Sequence, residues 1–386
     1  MLLPCAHAPV RCSPSLLKAA SRHPLAIRCY SDAVPKEGGK RLKRVVFSGI
    51  QPTGTPHLGN YLGALSNWVK LQNSAAPEDD LLFSIVGWHA LTLPQDPKEL
   101  SASRMDMLAV LLAIGLNPER SVIFHQEDNL HHTELAWLLN CITPIGKLRR
   151  MTTWKQSRLA VARNANDESE VDESLLNAGL LTYPVLQAAD VLAYKATEVP
   201  VGEDQQQHLE LARDIADSFN RTFKRKHPMF PLPRPVITPS RRVLSLRDPS
   251  AKMSKSAPDS SSRIMLTDTS TQISKKIKSA VTDSTTGISY DPINRPGISN
   301  LLTIVSSCTE QSMEDVCAQY KDFGHGEFKE VVIGVVEGLF RGPREEYARI
   351  RGDERHLVEV ARKGAEKARA RSEVTMREVR ERVGLA

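Results

Sequence analysis

Phe47-Ser48-Gly49-Ile50-Gln51-Pro52-Thr53-Gly54-Thr55-Pro56-His57-Leu58-Gly59-Asn60 is the stretch on which the reading of this 386-residue chain turns. The apolar run Arg44-Val45-Val46-Phe47 predicts a short strand that stops at Ser48-Gly49, and Pro52, Gly54 and Pro56 predict a loop. Apolar residues at 58, 61, 62, 65, 68 and 69 then follow the 3.6-residue period, so a helix begins near His57. The start of such a helix offers unpaired N–H groups and a partial positive charge, which suits a polyphosphate. Gly59 in the first turn costs about 1 kcal/mol relative to Ala. A flat group resting on that backbone, such as a purine, would account for it. Taken alone, the segment serves equally well as a Gly-rich turn with an ordinary exposed histidine.

Working outward, a buried-strand run covers 81–86, a helical pattern 97–114 and a further strand 121–125. Strand, helix, strand, helix, strand at this spacing predicts a parallel α/β sheet with crossover helices. After Pro249 the texture changes: Ser, Thr, Asp and Lys dominate 252–288, and helical stretches follow at 300–306 and 327–340. The last 46 residues hold 13 Lys+Arg against 9 Asp+Glu with spaced Leu, Val and Ala, the pattern of amphipathic surface helices. The simplest division is a catalytic α/β domain over 42–252, an all-helical domain over 255–350, and a C-terminal helix over 351–386 that packs back on the first domain.

Apolar residues make up 41% and charged residues 25%, which excludes wholesale disorder. No apolar run approaches the roughly 20 residues that span a bilayer, so no membrane partner is expected. Six cysteines without a CxxC suggest neither a disulfide scaffold nor a zinc site. The formal charge of +6, from 51 Lys+Arg and 45 Asp+Glu, permits a nucleic-acid partner. Much of it lies at the N-terminus. Residues 1–30 carry Arg11, Lys18, Arg22 and Arg28, scattered serines and no acid, the composition of an organelle transit peptide. Arg28-Cys29-Tyr30 before Ser31 resembles a mitochondrial presequence cut, so the matrix is the expected location. Removing those four cations from 51 leaves 47 against 45, a nearly neutral mature chain.

The second informative stretch is Lys252-Met253-Ser254-Lys255-Ser256, two lysines three apart among small hydroxyl residues: a mobile cationic clamp for phosphate, or simply a solvated loop. The two stretches together, in this order and about 200 residues apart, resemble the HLGN-type and KMSKS signatures of class I aminoacyl-tRNA synthetases. GIQPTGTPHLGNYLGAL at 49–65, LLTYPVLQAADVLAYKA at 180–196, VPVGEDQQQH at 199–208, KSAVTDS at 278–284 and PGISNLL at 296–302 narrow the resemblance to the tryptophanyl-tRNA synthetases, from Arg44 to the C-terminus. It implies a Rossmann-like parallel-sheet catalytic domain with a helical tRNA-binding domain, the substrates ATP with Mg²⁺ and L-tryptophan, and the partners tRNA(Trp) and a second copy of the chain. It implies no resident metal.

On that resemblance, His57, Asn60, Lys252 and Lys255 carry the chemistry. Gln51, Pro52, Thr53 and Gly59 join the ATP site. Gly202, Glu203 and Asp204 hold the ribose, and Val243 contacts the adenine. Lys252, Met253, Ser254, Lys255 and Ser256 close over the leaving pyrophosphate. Asp190 accepts the indole N–H, Phe47 walls the indole, and Tyr183, Gln187, Gln205 and His89 complete the amino-acid pocket. A helix over 185–195 would put Gln187 and Asp190 on one face.

The sequence departs from the family at two places. Where many relatives carry Asp-x-His, this chain has Gly87-Trp88-His89, so only His89 carries over. Where relatives place a phosphate-contacting Lys stands Ser157, with Arg158 one residue on, about 100° around a helix. The rival readings are tyrosyl-tRNA synthetase and a catalytically silent RNA-binding splicing relative. KMSKS, the GEDQ segment and PGISNLL favour tryptophan, and intact His57, Asn60, Lys252, Lys255 and Asp190 favour catalysis.

Overall fold

Strands buried on both faces have to be apolar at nearly every position, and three such runs build one half of the sheet. The computed structural model describes residues 36–37, 40–41, 43–156, 176–202, 205–237 and 242–386. Five parallel strands are β1 (Val45–Ile50), β2 (Asp80–Ile85), β3 (Val122–His125), β4 (Glu198–Val201) and β5 (Arg234–Ile237). Their order is β3-β2-β1-β4-β5, a doubly wound α/β arrangement whose strand order reverses between β1 and β4. β1 runs further than the local sequence predicts. Ser48, Gly49 and Ile50 pair with Phe83, Ser84 and Ile85, and Gly49 is tolerated there because a Cβ would lie 2.9 Å from Val86 Cγ1.

Three consecutive helical segments, Leu58–Asn60, the π-helical Tyr61–Leu65 and Ser66–Ser74, form α1. The others around the sheet are α2 (Gly87–Ala90), α3 (Pro97–Ala113), α4 (His131–Asn140), α5 (Ile145–Leu148), α6 (Ala178–Leu192) and α7 (Gln206–Thr222). The C-terminal part holds α8 (Ser270–Lys278), α9 (Pro296–Thr309), α10 (Met313–Tyr320), α11 (His325–Arg351) and α12 (Glu354–Val383). Boundaries follow local chemistry. Asp96 caps α3 by accepting from the N–H groups of Lys98 and Glu99, with Pro97 at the first helical position. α6 begins seven residues before the predicted 185 and contains Pro184, whose missing N–H releases the Leu180 carbonyl.

Alternation along the strands sorts the core into two layers. Val46, Leu81, Phe83 and Ile123 face Trp68, Leu71, Met107 and Leu111, and this cluster continues into Ile298, Phe328, Val332 and Phe340 of the C-terminal helices. Phe47, Leu82, Val122 and Phe124 face Leu135, Leu139, Val185, Leu192, Phe219 and, from α12, Met376 and Val379. α12 thus lies against the sheet, close to β3: a Cβ on Gly364 would overlap the Ile123 carbonyl. Its clamps are Arg380 on Glu134, with two contacts of 2.7 Å, and Lys195 on Glu378 at 2.9 Å. Among the described residues no helix is long and apolar enough to cross a membrane.

Candidate active site

Parallel strands that part at a reversal of strand order leave a crevice at their carboxyl ends. β1 and β4 are joined at their amino ends, where Thr197 N–H donates to Val45 O at 2.8 Å, and share only the register pair Val46–Glu198. Beyond it the backbones separate, and Ser48 Oγ reaches across to Pro200 O at 3.2 Å. The separation explains how Pro200 stands inside the sheet: no donor is required of it on the β1 side. The resulting cleft of about 650 Å³ is lined by Phe47, Gln51, Asn60, His89, Tyr183, Gln187, Asp190, Gly202 and Gln205, among others. Nine of the residues singled out in the sequence therefore meet in one space. Glu203, Asp204, Ser157 and Arg158 lie outside the described residues.

At the cleft's edge the two signatures are strapped together by backbone bonds. Leu58 N–H donates to Ile264 O at 2.8 Å and Leu266 N–H to Pro56 O at 3.0 Å, with His57 and Met265 bridged antiparallel. His57 Nδ1 accepts from Asn60 N–H at 3.2 Å, and Asn60 Oδ1 accepts from His57 N–H at 3.3 Å. Since Nδ1 is an acceptor, the imidazole keeps its proton on Nε2. Burial, then Lys255, Lys252 and Arg263, push the His57 pKa down to about 4, so the ring is a neutral donor at pH 7. Gly59 has Val243 behind it: a Cβ there would lie 3.7 Å from Val243 Cβ and 3.1 Å from the His57 ring. Pro52 is buried beside this turn.

Val243 belongs to a short hairpin that presents the second signature, with Met253 N–H on Val243 O at 3.2 Å and a Leu244–Lys252 bridge. Met253 is buried in the apolar core and anchors the loop, so it offers no side chain to a ligand. Lys252 is exposed, and Ser254 and Ser256 pair through their hydroxyls at 2.9 Å. Lys255 folds onto the first signature, its Nζ donating to Thr53 O at 2.6 Å and Gly54 O at 2.9 Å. Burial and then Arg263 bring its pKa down to about 8.

The opposite wall is a hydrogen-bonded network centred on Asp190, 2% exposed. His89 Nε2 meets Oδ2 at 2.7 Å, while Gln126 Nε2 at 2.6 Å and His132 Nδ1 at 2.7 Å meet Oδ1. Desolvation pushes the carboxyl up, but His89 and then His132 outweigh it and hold the pKa at about 2. Gln126 and His132 escaped the sequence analysis. The available signal was positional: Gln126 directly follows β3, at the carboxyl edge where a parallel sheet presents its ligands. Further out, Tyr183 OH donates to Thr153 Oγ1 at 2.7 Å and lies 3.2 Å from His208 Nε2, whose Nδ1 meets Gln205 Oε1 at 2.8 Å. Gln187 Nε2 reaches Gln205 Oε1 at 3.5 Å.

The glycine at 87 has a steric reason. A Cβ there would lie 2.7 Å from Glu127 Cδ, because the Glu127 carboxyl, ion-paired with Arg104, fills that space. Gln126 meanwhile accepts the Trp88 N–H at 3.1 Å, so residues 126 and 127 together fix the turn that carries His89.

Two buried neutral imidazoles set an acid limit on stability. Burial pushes His125 down to about 3, with Arg104 adding to the effect, and His57 to about 4. Between pH 6.5 and these values the unfolded chain binds a proton that the folded chain refuses, so stability falls as pH falls through that window. Urea unfolding should lose a few kcal/mol between pH 6.5 and 4.5, at up to about 1.4 kcal/mol per group and pH unit. A flat profile there would contradict both imidazoles being held neutral.

Residues 40–341 match the family model described as tRNA synthetases class I (W and Y). The tryptophan–tRNA ligase of Rickettsia conorii is 45% identical over 344 residues, 89% of this chain and 99% of that protein. The chain belongs to the tryptophan–tRNA ligase family of class I synthetases. The mitochondrial tryptophan–tRNA ligase of Schizosaccharomyces pombe is 43% identical over 88% of this chain and 95% of its own length. Among solved structures, the tryptophanyl-tRNA synthetase of Campylobacter jejuni, complexed with ADP and tryptophan, shares 32% identity at a TM-score of 0.71, covering 88% of this chain and all of that one. Family membership agrees with the sequence resemblance and with the fold, a five-stranded parallel sheet followed by helices.

Proposed function

We propose that this chain activates L-tryptophan with ATP and transfers the tryptophanyl group to tRNA(Trp), with the cleft between β1 and β4 as the site of both steps. One observation carries the choice of tryptophan. A carboxylate has about four acceptor positions. On Asp190, Oδ1 accepts from Gln126 and His132, whereas Oδ2 accepts from His89 alone. Asp190 lines the cleft, and the position left on Oδ2 suits one further donor, the indole N–H. Phe47, stacked on Tyr194 with ring centroids 5.6 Å apart, forms an apolar wall beside it. Phenylalanine would leave that acceptor unpaired in a buried setting, which rejects it strongly. Tyr183, Gln187 and Gln205 then face the amino and carboxylate end.

ATP enters from the β1 side, its adenine on the Gly59 backbone beside Val243 and its ribose near Gly202, Glu203 and Asp204. Gln51, Thr53 and Asn60 border the phosphates. The tryptophan carboxylate oxygen attacks the α-phosphorus, the bond to the β-phosphate breaks, and pyrophosphate leaves with the electron pair. Neutral His57 donates its Nε2–H to the phosphates while Lys252 and Lys255 neutralise the leaving group, so catalysis is positioning and charge stabilisation. Mg²⁺ travels with ATP as part of the substrate. A terminal ribose hydroxyl of the tRNA then attacks the mixed anhydride and AMP leaves.

The division of labour follows the chain: catalysis over 42–252, tRNA contacts from the helical 255–350 and the basic final helix. We place the enzyme in the mitochondrial matrix, on the acid-free basic segment 1–30 and the mitochondrial relative in Schizosaccharomyces pombe. The proposed second copy of the chain has an apolar surface to cover, since Leu130, Trp137 and Ile145 are each at least 60% exposed on or beside α4 and α5. Pyrophosphate exchange into ATP tests the activity. The purified full chain should exchange only when L-tryptophan is added, and exchange driven by L-tyrosine, or none, would sink the assignment.

A further inference from the structure

A chain of buried hydrogen bonds runs from Asp190 to the C-terminal helix. His132 Nδ1 meets Asp190 at 2.7 Å, and its Nε2 meets Tyr194 OH at 2.7 Å. Asn129 Nδ2 donates to Tyr194 OH and to Ser372 Oγ, both at 2.9 Å, which uses its two hydrogens. Ser372, on α12, lies within reach of Ala368 O at 3.1 Å and Arg369 O at 3.2 Å as a donor. Its hydroxyl meets His131 Nδ1 at 2.7 Å, the other nitrogen of that ring facing Glu373 at 2.9 Å. His132, Asn129 and Ser372 are fully buried, and Tyr194 is 6% exposed, so water does not complete any of these bonds.

From Asp190 to Asn129, one arrangement of donors and acceptors leaves no hydrogen unpaired. Asn129 has no hydrogen to spare, so Tyr194 OH accepts from it, and the partner within reach of the Tyr194 proton is His132 Nε2. An imidazole nitrogen that accepts carries no proton, so the ring bears its proton on Nδ1, facing Asp190. Ser372 starts this ordering, because an acceptor at that point turns the Asn129 amide toward both it and Tyr194. The helix that carries Ser372 is pinned on either side of it by the close approach of Gly364 to β3 and by the Arg380–Glu134 pair.

We propose that Ser372 is a positioning residue for tryptophan: through Asn129 and Tyr194 it holds His132 in the tautomer that donates to Asp190, leaving Oδ2 for the substrate. The proposal rests on Asp190 being the indole acceptor. It makes the C-terminal helix, 182 positions along the chain from Asp190, part of the apparatus that selects the amino acid.

The test has two readouts on the full chain: the KM values for tryptophan and ATP in pyrophosphate exchange, and the His132 tautomer from ¹⁵N chemical shifts. Ser372→Ala and Tyr194→Phe should each raise KM for tryptophan about five- to tenfold with KM for ATP within about twofold, while Ser372→Thr, which keeps the hydroxyl, restores it. The wild-type chain should show the Nδ1–H tautomer, and the two damaging variants a mixture or the Nε2–H form. An Nε2–H tautomer in the wild type overturns the proposal even if a variant fails to fold. Unchanged KM for tryptophan in Ser372→Ala and Tyr194→Phe, where Asp190→Ala raises it, overturns the relay and leaves the site reading standing. If Asp190→Ala has no effect on KM for tryptophan, the site reading itself fails.

Discussion

Asp190→Ala is expected to raise KM for tryptophan by about 100-fold or more and to leave KM for ATP within about threefold, because of the two substrates only tryptophan is proposed to meet the lost acceptor. A hundredfold is about 2.8 kcal/mol, the size expected for a buried donor left without its partner. The effect exceeds a single lost contact. The carboxylate orders His89, Gln126 and His132 from three separate elements, and without it three donors face one another in a dry space. The same variant loses stability, about 3–5 kcal/mol for breaking a buried charged network. The decisive quantity is therefore the ratio of the two KM values in folded protein. Equal increases in both would remove Asp190 from the tryptophan pocket. Asp190→Asn should do nearly as badly, since its amide nitrogen presents hydrogens to at least one of the three donors.

Lys255→Ala lowers kcat for pyrophosphate exchange by about 10²–10³-fold while tryptophan binding survives, the usual size of losing one charged group from a phosphate-transfer site. Lys255 Nζ lies on the carbonyl oxygens of Thr53 and Gly54, so it already bridges the two signatures and need only exchange those weak acceptors for phosphate oxygens. Its pH dependence gives an independent check. With the ammonium pKa brought down to about 8, the proton leaves the free enzyme as pH rises through that value. The kcat/KM for ATP then declines above about pH 8, approaching tenfold per unit. Lys255→Arg keeps its charge and removes that alkaline limb even where it lowers the rate. An unchanged kcat in the alanine variant would refute the clamp.

The helix start at His57 was legible because everything that makes it is local. A Gly/Pro loop, a 3.6-residue apolar period and an Asn three residues on supply the cap that the structure shows. β1, β2 and β3 were legible for a similar reason, being continuous apolar runs. β4 and β5 were not: each has four residues, and Pro200 or Pro235 interrupts the pattern that would mark a strand. Only the parting of β1 from β4 makes a proline acceptable at 200, and that depends on strand order. The Gly87 departure likewise had no local explanation, since the reason for it is the Glu127 carboxyl, 40 positions away.

The helix start at His57 and the cationic loop at 252–256 could be read from short segments, because capping, periodicity and phosphate-binding chemistry operate over a few residues. The catalytic class and the roles suggested for His57, Lys252, Lys255 and Asp190 followed from the resemblance to a family. The setting of the buried carboxylate could not be read from short segments. Asp190 owes its low pKa to residues 89 and 132 and its ordered donors and one remaining acceptor position to residues 89, 126 and 132, which connect on to 129, 194 and 372. Burial strengthens each of these contacts and makes each missing one costly. Burial at Asp190 comes from segments that meet only when the sheet is ordered and the last helix is laid against it.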